Sequence, residues 1–348
     1  MNNYESYPPP FRPKSGLVAG VDGGDAAGSY CQDSDDPLPA IDLQAVGSEE
    51  EKRRLAGACR EWGVFRLVNH GIPVRLLSQL LRQAEELFWL PFESKRALFR
   101  GGGGGGGGGS PVMAYFWGNP ALSPSGMTLQ RGPNALNVNW VEGFNVALSQ
   151  LSDLRAQDPA LDSFRLLLEE YGRHQARVAT TIFKAIAESL ELGKEQRKRY
   201  LSPPTGFLRV YRYPRCPDAD GNWGMDVHTD SSVISVLSHD EVGGLQVQKD
   251  ERWLDVKPIP GTLLVNLGDM MQAMSNDEYK SVKHRVKANK RAERISIGYF
   301  VFPAEGGVIQ SSNYKPFTYD EFRAQVQHDL QTVGFKVGLD RFKLSEPS

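Results

Sequence analysis

The sequence predicts an α+β protein in which helices and a few strands lead into a sandwich or barrel of short strands. Three observations predict it. From Leu161 to Ile186 apolar residues recur at steps of three and four, the spacing of one helix face. Beyond Pro203-Pro204 the pattern changes to short β-prone runs at near-even spacing with turns between them. Ahead of both, strand-like runs alternate with apolar helical stripes between Leu38 and Phe99.

The elements follow in order. Residues 1–36 are rich in Pro, Gly, Ser and Asp without periodicity and are expected to form a disordered tail. The next unit, 37–100, opens with a strand over 39–43. Ser48 and Glu51 are spaced as a capping box for a helix with Leu55, Cys59 and Trp62 on one face and Gly63 at its end. Residues 64–68 read as a strand. Asn69-His70-Gly71-Ile72-Pro73 reads as a turn with Pro73 at the first helical position, followed by a stripe of Leu77, Leu80, Leu81, Ala84, Leu87 and Phe88. His70 is read as a turn histidine with a structural hydrogen bond rather than a ligand. Residues 101–109 are all glycine. No Gly-Lys-Ser/Thr follows and no strand leads in, so the run is read as a flexible linker over 101–110 and not as a phosphate loop.

Residues 111–200 are read as a covering loop followed by a long helix. The loop extends to 137 and offers Tyr115, Phe116 and Trp117 either as pocket walls or as cover for the core. Residues 139–145 look like a strand. Leu161, Phe164, Leu168, Tyr171, Gln175, Val178, Ile182 and Ile186 make the helical stripe, expected to back a sheet, with His174 beside it as a packing or surface residue. The unit 201–306 holds strands over 207–213, 243–248, 253–257, 262–267, 281–286 and 294–302, the second and third forming a hairpin. In 307–348, Thr318 and Glu321 cap a last helix bearing Phe322, Val326 and Leu330.

Composition excludes several classes. The chain of 348 residues has a net charge of −2, so it carries no electrostatic case for nucleic acid or an anionic membrane surface. It has no apolar run of membrane-span length and no apolar leader segment. Cys31, Cys59 and Cys216 form no disulfide or metal spacing, which suits a reducing compartment. The cytoplasm is the expected location, with the nucleus left open, and nothing in the pattern fixes an oligomeric state.

The chemistry concentrates in five side chains. His228 and Asp230 stand at i and i+2 in a β-prone stretch and are expected to share a face. His284 follows 54 residues after Asp230, again in a strand-like run. Two imidazoles and one carboxylate on one side of a metal leave the other side open, as in non-haem Fe(II) oxygenases. The ligands alone leave zinc in play. Ten residues past His284, Arg294 and Ser296 repeat the i, i+2 spacing. A guanidinium fork and a hydroxyl on one face suit a carboxylate, and beside an iron triad that points to a keto-acid co-substrate.

With these residues the chain resembles the plant 2-oxoglutarate- and Fe(II)-dependent dioxygenases, from about Leu38 to Leu344. Within them it is similar to gibberellin 2-oxidases of the branch acting on twenty-carbon gibberellins. Asn139-Trp140-Val141-Glu142-Gly143-Phe144-Asn145, the runs 225–236 and 277–286, and Val242-Gly243-Gly244-Leu245-Gln246-Val247 carry that likeness. The resemblance implies a double-stranded β-helix, a jelly roll, flanked by helices and preceded by a mixed N-terminal module. It implies Fe(II) on His228, Asp230 and His284, O2, and 2-oxoglutarate with its far carboxylate at Arg294 and Ser296. Ascorbate is the expected reductant. Tyr213 before Pro214 matches a tyrosine that contacts the co-substrate. The family's Asn-x-Tyr-Pro reads Tyr211-Arg212-Tyr213-Pro214 here, so Tyr211 replaces an asparagine in that wall, and Arg209 points the same way. The polyglycine run is a further departure. The implied reaction is 2β-hydroxylation of a small diterpenoid acid, which inactivates the hormone.

Three other readings compete. The same chemistry could serve another plant metabolite such as a flavonoid, auxin or melatonin. A jelly-roll binding protein without turnover has no need of an open iron face. A zinc hydrolase lacks a convincing general base near the triad.

Overall fold

The computed structural model describes residues 4–13, 36–98, 113–118, 138–153, 159–219 and 222–344. The readings of the glycine run 101–109 and of Cys31 fall outside them. Two 3-10 turns, Tyr4–Ser6 and Pro9–Phe11, come first. Strand β1 (Ala40–Asp42), helix α1 (Glu49–Glu61), strand β2 (Val64–Val68), and helices α2 (Val74–Phe88) and α3 (Phe92–Leu98) follow. Strands β3 (Met113–Trp117) and β4 (Glu142–Ala147) precede the 31-residue helix α4 (Pro159–Ser189) and the short α5 (Lys194–Tyr200). Next come β5 (Ser202–Tyr213), β6 (Trp223–His228), β7 (Ile234–His239), β8 (Leu245–Lys249), β9 (Arg252–Asp255) and β10 (Leu263–Leu267). After them lie α6 (Asp269–Met274), β11 (His284–Lys287), β12 (Arg294–Phe302), β13 (Val308–Ser311), β14 (Tyr314–Thr318) and α7 (Tyr319–Thr332).

Alternation along β5 and β12 builds the two layers. Side chains at successive strand positions point to opposite faces. Leu208 and Val210 of β5, with Ile295, Ile297, Tyr299 and Val301 of β12, join the core under the helices. Tyr211 and Tyr213 face the other way, into a second apolar cluster with Met225, Leu245, Val247 and Val286. The large sheet runs β1-β2-β10-β7-β12-β5-β4-β3, and the small one β6-β11-β8-β9. The second cluster therefore lies between two sheets, in the jelly-roll manner. Helix α4 backs the large sheet as its periodicity predicts, with Phe164, Leu168, Tyr171, Gln175, Val178 and Ile182 fully buried. Each large apolar side chain so buried contributes about 1.5–3 kcal/mol.

Several local expectations hold. Thr318 and Glu321 make the reciprocal capping box of α7. His70 accepts from the Ile72 N–H at 3.1 Å and lies 3.2 Å from the Gly261 carbonyl, a structural role. The β8–β9 hairpin turns on Asp250 and Glu251 alone, whose φ values of 47° and 61° are those of a two-residue primed turn.

Others need correction. Ser48 caps α1, but the buried Glu51 carboxylate accepts from the Asp42 N–H at 2.7 Å instead of returning to Ser48. Pro73 is the N-cap of α2, one residue before the first helical position. Residues 113–117, read as loop, are strand β3, the edge of the large sheet. Residues 4–13, read as part of a disordered tail, pack against the core, with Ser6, Tyr7 and Phe11 buried.

That docking has an electrostatic cause. Lys95 and Glu142 are fully buried, and Lys95 donates to Glu142 at 2.5 Å, to the Ser6 carbonyl at 2.7 Å and to the Phe88 carbonyl at 3.0 Å. Arg212 donates to Glu142 at 3.0 Å, to the Ser6 hydroxyl at 3.1 Å and, through two nitrogens, to Glu293 at 2.9 and 3.0 Å. Two cations thus meet two carboxylates, and the N-terminal segment satisfies the donors left over. Such a network persists inside a protein only when nearly every group is partnered.

Candidate active site

The small sheet supplies the two histidines. β6 and β11 are antiparallel neighbours with His228 and His284 as Cα partners. Opposite residues on one face bring their side chains together, and the two imidazole centroids lie 4.2 Å apart. Asp230 reaches them from outside the strand. β6 ends at His228, so the expectation that strand alternation aligns His228 with Asp230 is corrected: a loop carries the carboxylate. Asp230 Oδ1 is 4.0 Å from His228 Nε2 and 3.7 Å from His284 Nε2. One ligand atom from each residue lies within 4.8 Å of the others.

The donor set suits a divalent metal. His228 Nδ1 faces the Asp226 carbonyl at 2.7 Å and His284 Nδ1 faces the Val282 carbonyl at 3.2 Å. A carbonyl requires N–H on Nδ1, which leaves each Nε2 lone pair directed at the centre. Burial, then the neighbouring His284, pushes His228 down to about 3, so its ring is neutral, the form a metal needs. Burial alone would raise the Asp230 carboxyl, but His284, His228 and the Asn266 hydrogen bond together hold it below its ordinary value. The Asn266 amide donates to Asp230 Oδ2 at 2.8 Å, leaving Oδ1 for the histidines.

The large sheet supplies a site for an anion. In β12, Arg294 donates to Ser296 at 2.9 Å, and the register pairs them across the ladder with Tyr213 and Tyr211 of β5. The Arg294 guanidinium lies 5.0 Å from the Tyr213 ring centroid. Arg294 is buried, yet its Nε–H has no acceptor and no carboxylate pairs with it among the described residues. A buried guanidinium with an idle donor fits a carboxylate arriving from outside the chain. Burial raises the Tyr213 phenol above its ordinary value, so it is a neutral donor there. Gly224 of β6 makes room for it: a Cβ there would stand 2.7 Å from the Tyr213 ring. Arg209 shares the face of Tyr211 and Tyr213, bonded to Asn145 at 2.9 Å and to the Tyr211 hydroxyl at 3.4 Å.

The structure brings His228, Asp230 and His284 together, and on the large sheet it sets Arg294, Ser296 and Tyr213 side by side. Sequence reasoning missed their supports. Asn266 stands in the apolar run 263–267, and a lone amide there is a signal that can be read. Asp269, whose N–H donates to the Asp230 carbonyl at 2.8 Å, also accepts from Ser281, close before His284. His239 of β7 is the Cα partner of Ser296 on its other side. Tyr115, Phe116 and Trp117 are divided by strand alternation: Phe116 is buried against Tyr211, with ring centroids 6.0 Å apart.

The fold, the triad and the buried guanidinium together define a class. Residues 204–303 match the 2OG-Fe(II) oxygenase superfamily, and residues 38–114 match the non-haem dioxygenase in morphine synthesis N-terminal family. The chain belongs to the 2OG-Fe(II) oxygenases; it is a dioxygenase whose cofactors are Fe(II) and 2-oxoglutarate.

Its relatives are named more narrowly. Gibberellin 2-beta-dioxygenase 6 of Oryza sativa subsp. japonica is 38% identical, over 88% of this chain and 84% of that protein. Gibberellin 2-beta-dioxygenase 8 of Arabidopsis thaliana is 35% identical, over 88% and 86%. Among solved structures, the rice dioxygenase for auxin oxidation superposes with a TM-score of 0.69 at 27% identity, over 88% of this chain and all of that one. JOX2 in complex with 2OG, Fe and JA gives 0.68 at 27% identity, over 83% and 85%.

Proposed function

We propose that this enzyme hydroxylates a gibberellin at the 2β position, with twenty-carbon gibberellins as its substrates, and so inactivates the hormone or its precursors. The observation that carries the reading is similarity, over 88% of the chain, to gibberellin 2-beta-dioxygenases from two plants. The motif that suggested the subfamily also has a place near the site. The Asn139 side chain accepts from the Asp226 N–H at 2.9 Å, and the Trp140 N–H donates to the Trp223 carbonyl at 2.9 Å, so both hold β6 just before His228.

In this reading His228, Asp230 and His284 hold the metal. Arg294 and Ser296 grip the far carboxylate of 2-oxoglutarate, and Tyr213 closes that wall. Bound Fe(II) with 2-oxoglutarate supplies O2 activation, in which the keto acid loses CO2 to become succinate and one oxygen enters an unactivated C–H bond of the substrate. The protein's share is positional. The two Nε2 atoms and Asp230 Oδ1 would hold the metal, with Asp230 Oδ2 kept by Asn266. Arg294 orients the co-substrate, and the apolar residues between the sheets exclude water. Residues 37–98 serve as the N-terminal module, α4 as the backing helix and 201–306 as the core, while the covering loop read over 119–137 lies outside the described residues. The substrate is a small diterpenoid acid, and the cytoplasm is the compartment this reading favours. Among the described residues no helix is long and apolar enough to cross a membrane.

The likeness to the rice dioxygenase for auxin oxidation favours a second reading, the same chemistry on another small plant acid. One experiment separates them: succinate and product mass, with Fe(II), ascorbate and 2-oxoglutarate, against nineteen- and twenty-carbon gibberellins and indole-3-acetic acid. One oxygen added to a twenty-carbon gibberellin with matching succinate supports the proposal. Turnover of the auxin alone replaces it with the second reading.

A further inference from the structure

The loop carrying Asp230 is fastened from three directions. Asn266 holds its carboxylate, and the Asp269 N–H holds its carbonyl. The third tie comes from the far end of the chain. Helix α7 ends at Thr332 with Val333 as its C-cap, and Gly334, with φ of +87°, turns the chain back toward the sheets. Two residues on, the Lys336 ammonium donates to the Thr229 carbonyl at 2.9 Å, the Thr229 hydroxyl at 3.1 Å and the Ser231 hydroxyl at 2.9 Å. It also pairs with Asp269 at 2.6 Å.

Every one of those partners flanks Asp230 or supports it. Thr229 and Ser231 are its chain neighbours. Asp269 bonds the Asp230 carbonyl through its N–H and accepts from Ser281 at 2.8 Å on the segment leading to His284. One ammonium therefore joins the C-terminal segment to the loop of the carboxylate and, through Asp269, to the approach of the second histidine. Only 18% of the Lys336 side chain is exposed, so solvent screens these bonds little.

We propose that Lys336 is a positioning residue of the metal site, holding the Asp230 loop in the geometry that binds the ion. The proposal rests on the ligand assignment above. It gives the C-terminal segment a task at the site beyond its packing. Groups that orient metal ligands from behind typically account for about 10–100-fold in metal affinity.

The test is titration of the metal-free, full-length protein with Mn(II), read by calorimetry, alongside its thermal midpoint without metal. Lys336→Met should weaken Mn(II) binding about tenfold or more, and Lys336→Arg, which keeps a buried cationic donor, should recover most of it. A folded Lys336→Met protein with native Mn(II) affinity overturns the proposal. Should that variant fail to fold, Thr229→Ala combined with Ser231→Ala removes both hydroxyl partners and should still weaken Mn(II) about threefold or more; unchanged affinity is equally fatal. Asp230→Ala separates the two layers of argument. Loss of Mn(II) in Asp230→Ala but not in Lys336→Met rejects the lysine alone. Native affinity in Asp230→Ala rejects the ligand assignment and the proposal with it.

Discussion

His228 and His284 are direct partners across an antiparallel ladder, with ring centroids 4.2 Å apart although they are distant in sequence. Register sets that distance. Because side chains alternate faces, a slip of one residue between β6 and β11 would send one imidazole to the far side of the sheet.

The triad should therefore tolerate no substitution of its donors. His228→Ala, His284→Ala and Asp230→Ala are expected to lose Fe(II) binding and succinate formation together. Asp230→Glu should fail as well, because one methylene moves the oxygen beyond the roughly 0.5 Å that such sites accept. Anaerobic Fe(II) titration beside a succinate assay checks this. Native turnover in any of the three alanine variants refutes that ligand.

Arg294 has an idle buried Nε–H, and that defines its prediction. Arg294→Ala removes a charge-assisted fork, a loss of about 2–5 kcal/mol in grip on a carboxylate. The KM for 2-oxoglutarate should rise about 30-fold or more, since each 1.4 kcal/mol is tenfold. Turnover at saturating co-substrate should fall much less. Arg294→Lys keeps the charge without the fork and should be intermediate. An unchanged KM in Arg294→Ala removes this residue from the co-substrate site.

The parts of the site legible in the sequence are those whose geometry is local. Arg294 and Ser296 share a face because β12 keeps an unbroken register with β5 from Arg294 to Phe300, and its alternation is plain in the residues themselves. The helix α4 is equally plain, since one face is apolar except for Gln175. Asp230 is different. It reaches the histidines through a loop held by Asn266, Asp269 and Lys336, and only the folded chain brings those three together. β3 hides for another reason. Met113 and Ala114 are both buried, as is Phe116, so no polar alternation marks the strand. The docking of residues 4–13 depends on Lys95, Arg212 and Glu293, up to 287 positions away from Ser6.

His239 gives the protein an acid sensitivity with a definite sign. Burial, then the Arg294 charge, pushes it from 6.5 down to about 4. Between those values the unfolded chain takes up a proton that the folded chain refuses, so stability is full above about 6.5 and is lost as the pH falls toward 4. The loss attributable to this ring is about 1–3 kcal/mol, with the upper figure trimmed because His239 is only partly buried. Its Nδ1 donates to the Asp240 carbonyl at 2.7 Å, a bond that an amide can keep. His239→Asn should therefore lose less stability than the native protein between pH 7 and pH 4.5 in urea melts. Parallel losses in the two proteins would remove His239 as the cause.

The buried cluster of Lys95, Glu142, Arg212 and Glu293 adjoins Arg294, the residue proposed to grip the co-substrate. Lys95 and Glu142 are both without solvent exposure, so Lys95→Met leaves one carboxylate in excess inside the protein. Breaking one side of such a pair costs about 3–5 kcal/mol. The double variant Lys95→Met with Glu142→Gln should lose less than the sum of its parts, because it buries no unpaired charge. Glu293 adds a functional consequence: it holds Arg212 through two nitrogens and immediately precedes Arg294. Glu293→Gln weakens that hold at the start of β12, so the KM for 2-oxoglutarate should rise about threefold, half a tenfold step on a free-energy scale of 1.4 kcal/mol. Deleting residues 1–12 removes Ser6, which accepts from Lys95 and Arg212, and Tyr7, whose hydroxyl donates to Glu293, and should shift both the denaturation midpoint and that KM in the same directions. A Lys95→Met protein within about 1 kcal/mol of native stability would remove the lysine as the group that holds the network.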